Sequence, residues 1–138
     1  MTTINIAKDY SLFTGLRHCN ISEKSGEDFY HTKLNTAFKE AFEKKDKLTI
    51  ILDGVDGFAP SFLDEAFGNL VYDFGLTNVK AYLEVASLLE PQWIDMITQQ
   101  TYPQWEKRRE KSITPKKTIT HKPWFRIVDS KIECEKWI

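Results

Sequence analysis

Three groups of side chains in this 138-residue chain have the types and spacing for chemistry. The first is Ser61, at the mouth of an apolar helical stripe. Its hydroxyl can accept from the backbone N–H of Leu63 or Asp64 as a cap, or the site can seat a phosphate at the helix's positive end. The second is the acidic set Asp53, Asp56, Asp64 and Glu65. Several carboxylates at one edge suit a hard divalent cation and a small metal-dependent enzyme. The local pattern favours a plainer reading, with Asp53 and Asp56 forming turns and Asp64 and Glu65 starting a helix. The third is the basic run Lys107, Arg108, Arg109, Lys111, Lys116 and Lys117, with Lys122 beyond it. Near Trp105, Trp124 and Phe125, it has the parts for phosphate contact and base stacking, or for a solvated helix face.

Other arrangements offer less. His18, His31 and His121 lie in different segments without ligand spacing, and Cys19 and Cys134 lack a CxxC pattern. His18 and Cys19 are neighbours, but strand neighbours point to opposite faces. Neither GxGxxG nor a Walker-type loop is present. The expectation is reduced, inert thiols, no catalytic residue, no metal centre and no cofactor.

The elements that position these groups follow from periodicity. Residues 3–6 predict a short strand, and residues 12–20 a turn and a second one. Ser25 caps a helix, with Asp28 three residues on to complete a capping box. Behind it Tyr30, Leu34, Ala37, Phe38 and Ala41 share one helical face. Residues 48–52 are a β-branched run suited to a parallel strand covered on both faces. Then Leu63, Ala66, Phe67, Leu70, Val71 and Phe74 mark a helix that starts at Ser61 and ends at Gly75. Residues 81–85 predict another strand. Pro91 opens a third helix through Trp93, Ile94 and Ile97, which Pro103 should break or kink. Strands alternating with helices imply an α/β domain with a mostly parallel central sheet and helices packed on it. Beyond it, residues 116–119 and 124–128 read as short strands of a β-hairpin-like extension covering a sheet edge. Trp124 and Trp137 argue that this extension is ordered.

Composition bounds the rest. The net charge of −1 hides ten basic against four acidic residues in 107–138, and nine against sixteen in 1–106. A basic tail on an acidic body suits the chain's own body, an acidic partner or nucleic acid. The organisation expected is an α/β domain over 1–106 and a basic C-terminal extension, 107–138, packed on it. No apolar run has the ~18 residues needed to span a bilayer, and the N-terminus shows no signal core, so a cytoplasmic address is expected.

The pattern LDGVxGFxxSFLDEAFGxL at residues 52–70 resembles the STAS-like family, distant relatives of the STAS domains of bacterial anti-sigma-factor antagonists. SGEDF at residues 25–29 is similar to that family's first-helix entry, and the likeness covers residues 3–100. It implies a STAS-like fold. In the antagonists, a serine at the start of the helix after the central strand is phosphorylated by a partner kinase, and the phosphate breaks the complex. Ser61 falls at the corresponding place. Where the antagonists usually carry Asp-Ser-Ser-Gly, this chain has Ala59-Pro60-Ser61-Phe62, and Asp64 and Glu65 compete with a phosphate for the helix end.

The function expected is a non-enzymatic regulatory interaction domain. Its partner would be a cytoplasmic protein, by the resemblance a kinase-type ATPase. Contact would run through Asp56, Gly57, Phe58, Pro60, Phe62, Asp64 and Glu65, with Ser61 as phospho-switch and Phe58 exposed as an anchor. The alternative is a nucleic-acid-binding accessory protein acting through the basic run.

Overall fold

The β-branched run Leu48–Ile51 forms the middle strand of a parallel sheet in a computed structural model that describes residues 2–136. This strand, β2, lies between β1 (Thr2–Asn5) and β3 (Leu83–Ala86), in the order β1-β2-β3. Thr3 pairs with Thr49, and Thr49 with Glu84. The three strands therefore end at one side, and their following loops emerge together. Helices pack against this sheet, and an antiparallel strand pair follows at the C-terminal end, giving an α/β fold.

A single helical turn, α1 (Ile6–Asp9), follows β1. Ser25 caps α2 (Gly26–Phe29) by accepting the Asp28 N–H at 3.0 Å. Asp28 does not return the bond as a capping box would; its carboxylate accepts from the Tyr10 hydroxyl. A π-turn, Tyr30–Leu34, joins α2 to α3 (Asn35–Lys44).

The helix α4 (Pro60–Phe74) is the centre of the molecule. It packs against α2, against α5 (Leu76–Tyr82), against α7 (Tyr102–Glu110) and against β4 (Trp124–Val128) of the C-terminal pair. An apolar stripe predicts one buried face, yet eleven of its fifteen residues are buried. Neighbours on several sides leave it little solvent. Its buried polar residues, Glu65, Asn69 and Asp73, are spaced by four and form a row along one face.

Pro103 does not end the third helix. α6 (Gln92–Met96) continues through a π-turn, Ile97–Thr101, into α7, with Pro103 at its second position. The widened turn accommodates the missing donor.

Two strand expectations fail among the described residues. Residues 12–20 form turns, because their backbone pairs with residues 24–27 and not with the sheet: Gly15 N–H reaches Lys24 O, and Gly26 N–H reaches Leu16 O. Residues 116–119 are an extended strap. The hairpin is instead β4 (Trp124–Val128) with β5 (Lys131–Glu135). Its two-residue turn, Asp129-Ser130, has both φ values positive (51° and 66°), which matches the twist of antiparallel strands. The hairpin is a separate two-stranded sheet, and β4 lies on α3 and α4. Trp137, expected to help order this segment, lies outside the described residues. Among the described residues no helix is long and apolar enough to cross a membrane.

Candidate functional site

Three loops meet beyond the carboxyl ends of the strands, and Asp53 ties two of them together. Its carboxylate accepts from the Ser87 hydroxyl at 2.9 Å, the Leu88 N–H at 2.8 Å and the Leu89 N–H at 3.1 Å. These bonds, the Leu88 one foremost, hold its pKa below the ordinary carboxylate value. The first loop joins through the Asp56 N–H, which donates to Leu12 O at 2.8 Å. Gly57, at φ +79°, supplies a backbone conformation that side chains resist. The crest carries Leu12, Phe13, Leu88 and Leu89, with Leu88 92% and Leu89 77% exposed. Phe58, expected as a free anchor, is half-buried between Phe62 and Trp93.

Beside this crest, α4 begins one residue earlier than its apolar stripe predicts. Pro60 takes the first helical position, where its missing N–H costs nothing, and Ala59 is the N-cap. Ser61 is therefore not the cap. It sits half-buried in the first turn, in a groove of about 210 Å³ shared with Arg17, Gln100 and Gln104.

Asp64, Glu65 and Phe62, expected to face a partner, turn to the chain itself. Asp64 accepts from Arg17 at 2.7 Å, Thr101 Oγ1 at 2.9 Å and Trp105 Nε1 at 3.2 Å. Glu65 is buried, bonded to Arg17 at 3.1 Å and to the Asn69 amide at 2.8 Å. Phe62 stacks on Phe29 in the core. A buried carboxylate must take donors from its own fold, so the position of these residues after the helix start cannot reveal their direction. Of the expected contact set, Asp56, Gly57 and Pro60 remain exposed.

The basic segment is divided. Arg108 lies over the Trp105 ring, and Arg109 pairs with Glu106 at 2.6 Å. Lys117 donates to Asn69 at 3.2 Å and sits over Trp124. Arg126 bonds Asp73 at 2.7 Å. The polar row of α4 thus meets Arg17, Lys117 and Arg126 in turn. Burial raises the Asp73 carboxyl, against the pull of Arg126. Lys107, Lys111 and Lys116 are exposed.

A second cluster was not visible as a pattern. Glu27, fully buried at the start of α2, accepts from the Cys19 N–H at 3.1 Å, the Thr118 N–H at 2.9 Å and the Thr118 hydroxyl at 2.7 Å. His121 Nε2 lies 2.5 Å from one of its oxygens, and His18 Nδ1 3.2 Å from the other. Burial alone would raise this carboxyl, but bonds from His121, Thr118 and Cys19 outweigh it and hold its pKa well below the usual range. His31 stacks on His121 at 3.9 Å, with both its ring nitrogens buried and unpartnered. Burial, then His121, pushes His31 down to about 2, so it is neutral. Burial pushes the Cys19 thiol up to about 11, which argues against a nucleophile at neutral pH. His18 and Cys19 lie in a turn, so the alternation expected of a strand does not separate them. The signal available was Glu27 itself, a glutamate in a helix entry, and that says nothing of donors more than 90 residues away.

A family model described as a STAS-like domain of unknown function (DUF4325) matches residues 25–93. The match spans the Ser25 cap, Asp53, Ser61 and the Leu88-Leu89 pair; it leaves out Cys19, His121 and the basic run. No curated protein and no solved structure matches the chain.

Proposed function

The chain belongs to the STAS-like family of unknown function, and from that premise we propose that it is a non-enzymatic interaction domain that binds another protein through the crest above its strands. One observation carries this reading: Leu88 and Leu89 project into solvent from a loop whose backbone Asp53 fixes. Two exposed leucines on an ordered loop are costly to leave in water and suit a partner's apolar surface. Leu12 and Phe13 extend the patch, and Asp56 gives it an acidic rim that favours a basic-rimmed partner.

Ser61 lies beside the crest with its hydroxyl uncommitted as a cap. Phosphorylation there would add roughly −1.5 to −2 charges next to Asp64 and set them against the partner. The antagonist resemblance makes a kinase-type ATPase the first partner to test.

The test is capture from the native cells with the full chain as bait. Replacing Leu88 and Leu89 together by Asp should abolish retention of a partner that wild type holds, with the circular dichroism unchanged. Retention undiminished by that change would remove the crest as the binding surface. Peptide mapping of the native protein reports whether Ser61 carries a phosphate.

A further inference from the structure

We propose that Cys19, Glu27 and His121 form a binding site for a divalent first-row transition ion of the zinc type. Their ligand atoms all lie within 4.8 Å of one another, drawn from a turn, the start of α2 and the strap after α7. A thiolate, an imidazole and a carboxylate together suit zinc, whereas magnesium and calcium require oxygen donors. His18 Nδ1 lies 3.2 Å from the other Glu27 oxygen, outside the set.

The surroundings are those of a supported ligand set. The Cys19 and Thr118 amides and the Thr118 hydroxyl fix the Glu27 carboxylate, as outer-shell donors do in metal sites. The His31 ring lies nearly parallel to His121, at 13°, and sets its plane. Beside both histidines a cavity of about 370 Å³, lined also by Asp28 and Thr32, gives an ion a way in. A tetrahedral ion bonded at about 2.0 Å to nitrogen and oxygen holds them roughly 3.3 Å apart. His121 Nε2 and the Glu27 oxygen, at 2.5 Å, need to separate by less than an ångström to admit it. Binding forms metal–sulfur, metal–nitrogen and metal–oxygen bonds. The Cys19 thiol proton leaves to solvent, and the proton held between His121 Nε2 and the Glu27 carboxylate is displaced with it, to solvent or to His121 Nδ1. No redox step is involved. Bound there, the ion staples residues 19, 27 and 121 together. None of these residues lies on the crest, so this inference stands or falls apart from the interaction reading.

The full chain, stripped with a chelator and kept reduced, is titrated with cobalt(II) as a spectroscopic stand-in for zinc. One equivalent should give an intense near-ultraviolet sulfur-to-cobalt band that zinc bleaches. Cys19→Ser should lose the band and Cys134→Ser keep it. His121→Asn should weaken binding at least tenfold, in the range that supporting-residue changes alone reach. A folded wild type without the band, or a band that survives Cys19→Ser, overturns the proposal. Wild-type alkylation mapping gives a second reading that needs no variant to fold. Zinc should protect Cys19 and leave the exposed Cys134 reactive. Equal labelling of Cys19 with and without zinc overturns the proposal as well.

Discussion

A Cβ added to Gly68 would lie 2.1 Å from Trp105 Cε2. The contact joins the middle of α4 to α7 and is possible only because Gly68 has no side chain. The indole is itself pinned, since its Nε1 donates to Asp64.

Gly68→Ala should therefore destabilise the protein, although alanine is the better helix former by about 1 kcal/mol. Overpacking against a buried ring typically costs about 1–3 kcal/mol, and with Trp105 unable to retreat the upper end applies. A urea midpoint equal to that of wild type would show that α7 can shift to make room.

Asp64→Ala removes the acceptor shared by Arg17, Thr101 and Trp105. Leaving buried donors unpaired should cost about 2 kcal/mol, and Asp64→Asn, which keeps an oxygen for Trp105, should cost less. Chemical denaturation of the isolated protein measures both. If neither change moves stability, Asp64 is free to serve a partner after all.

The alkaline limb of stability should be governed by tyrosines. Burial, aided by Asp28 and Asp73 respectively, raises Tyr10 and Tyr30 above the ordinary 10.0, and burial raises Tyr102. These groups keep their protons in the folded state at pH values where the unfolded chain has lost them. Their contribution is thus fully present below pH ~10 and is lost as pH rises through their folded values. Absorbance at phenolate wavelengths should show three of the five tyrosines silent until the fold opens. Their ionisation near pH 10 with native circular dichroism intact would contradict this.

Asp53→Ala should free the Leu88-Leu89 loop. Amide exchange at those two positions should quicken while the Leu48–Ile51 amides stay protected. Because the bonds depress the Asp53 pKa, the wild-type loop should loosen in the same way only as pH falls below the ordinary carboxylate value. Unchanged exchange in the variant would mean that something other than Asp53 orders the leucines.

Local information located the secondary structure better than the site. The run at Leu48–Ile51 and the stripe of α4 depend on periodicity and were legible. The row Glu65, Asn69, Asp73 has the same period, but its meaning lies in Arg17, Lys117 and Arg126, which are 48 or more residues away. Lys116 to Ile119 carries β-branched residues without being a strand, because Thr118 bonds the Glu27 side chain instead of a ladder. Pro103 misled because a π-turn upstream absorbed its effect. Leu88 and Leu89 belong to no periodic element, and an apolar pair just before Pro91 was their one available sign.

The Glu27 carboxylate also has a bearing on how the chain is made. Two of its donors, Thr118 and His121, lie 91 and 94 residues downstream. During synthesis a nascent chain that has already built its sheet still holds this group without them. Docking of the strap must wait until residue 121 has left the ribosome. Final closure of the fold is thereby coupled to the synthesis of residue 121, so a product terminated before it exposes an unmet acidic group that the longer chain seals.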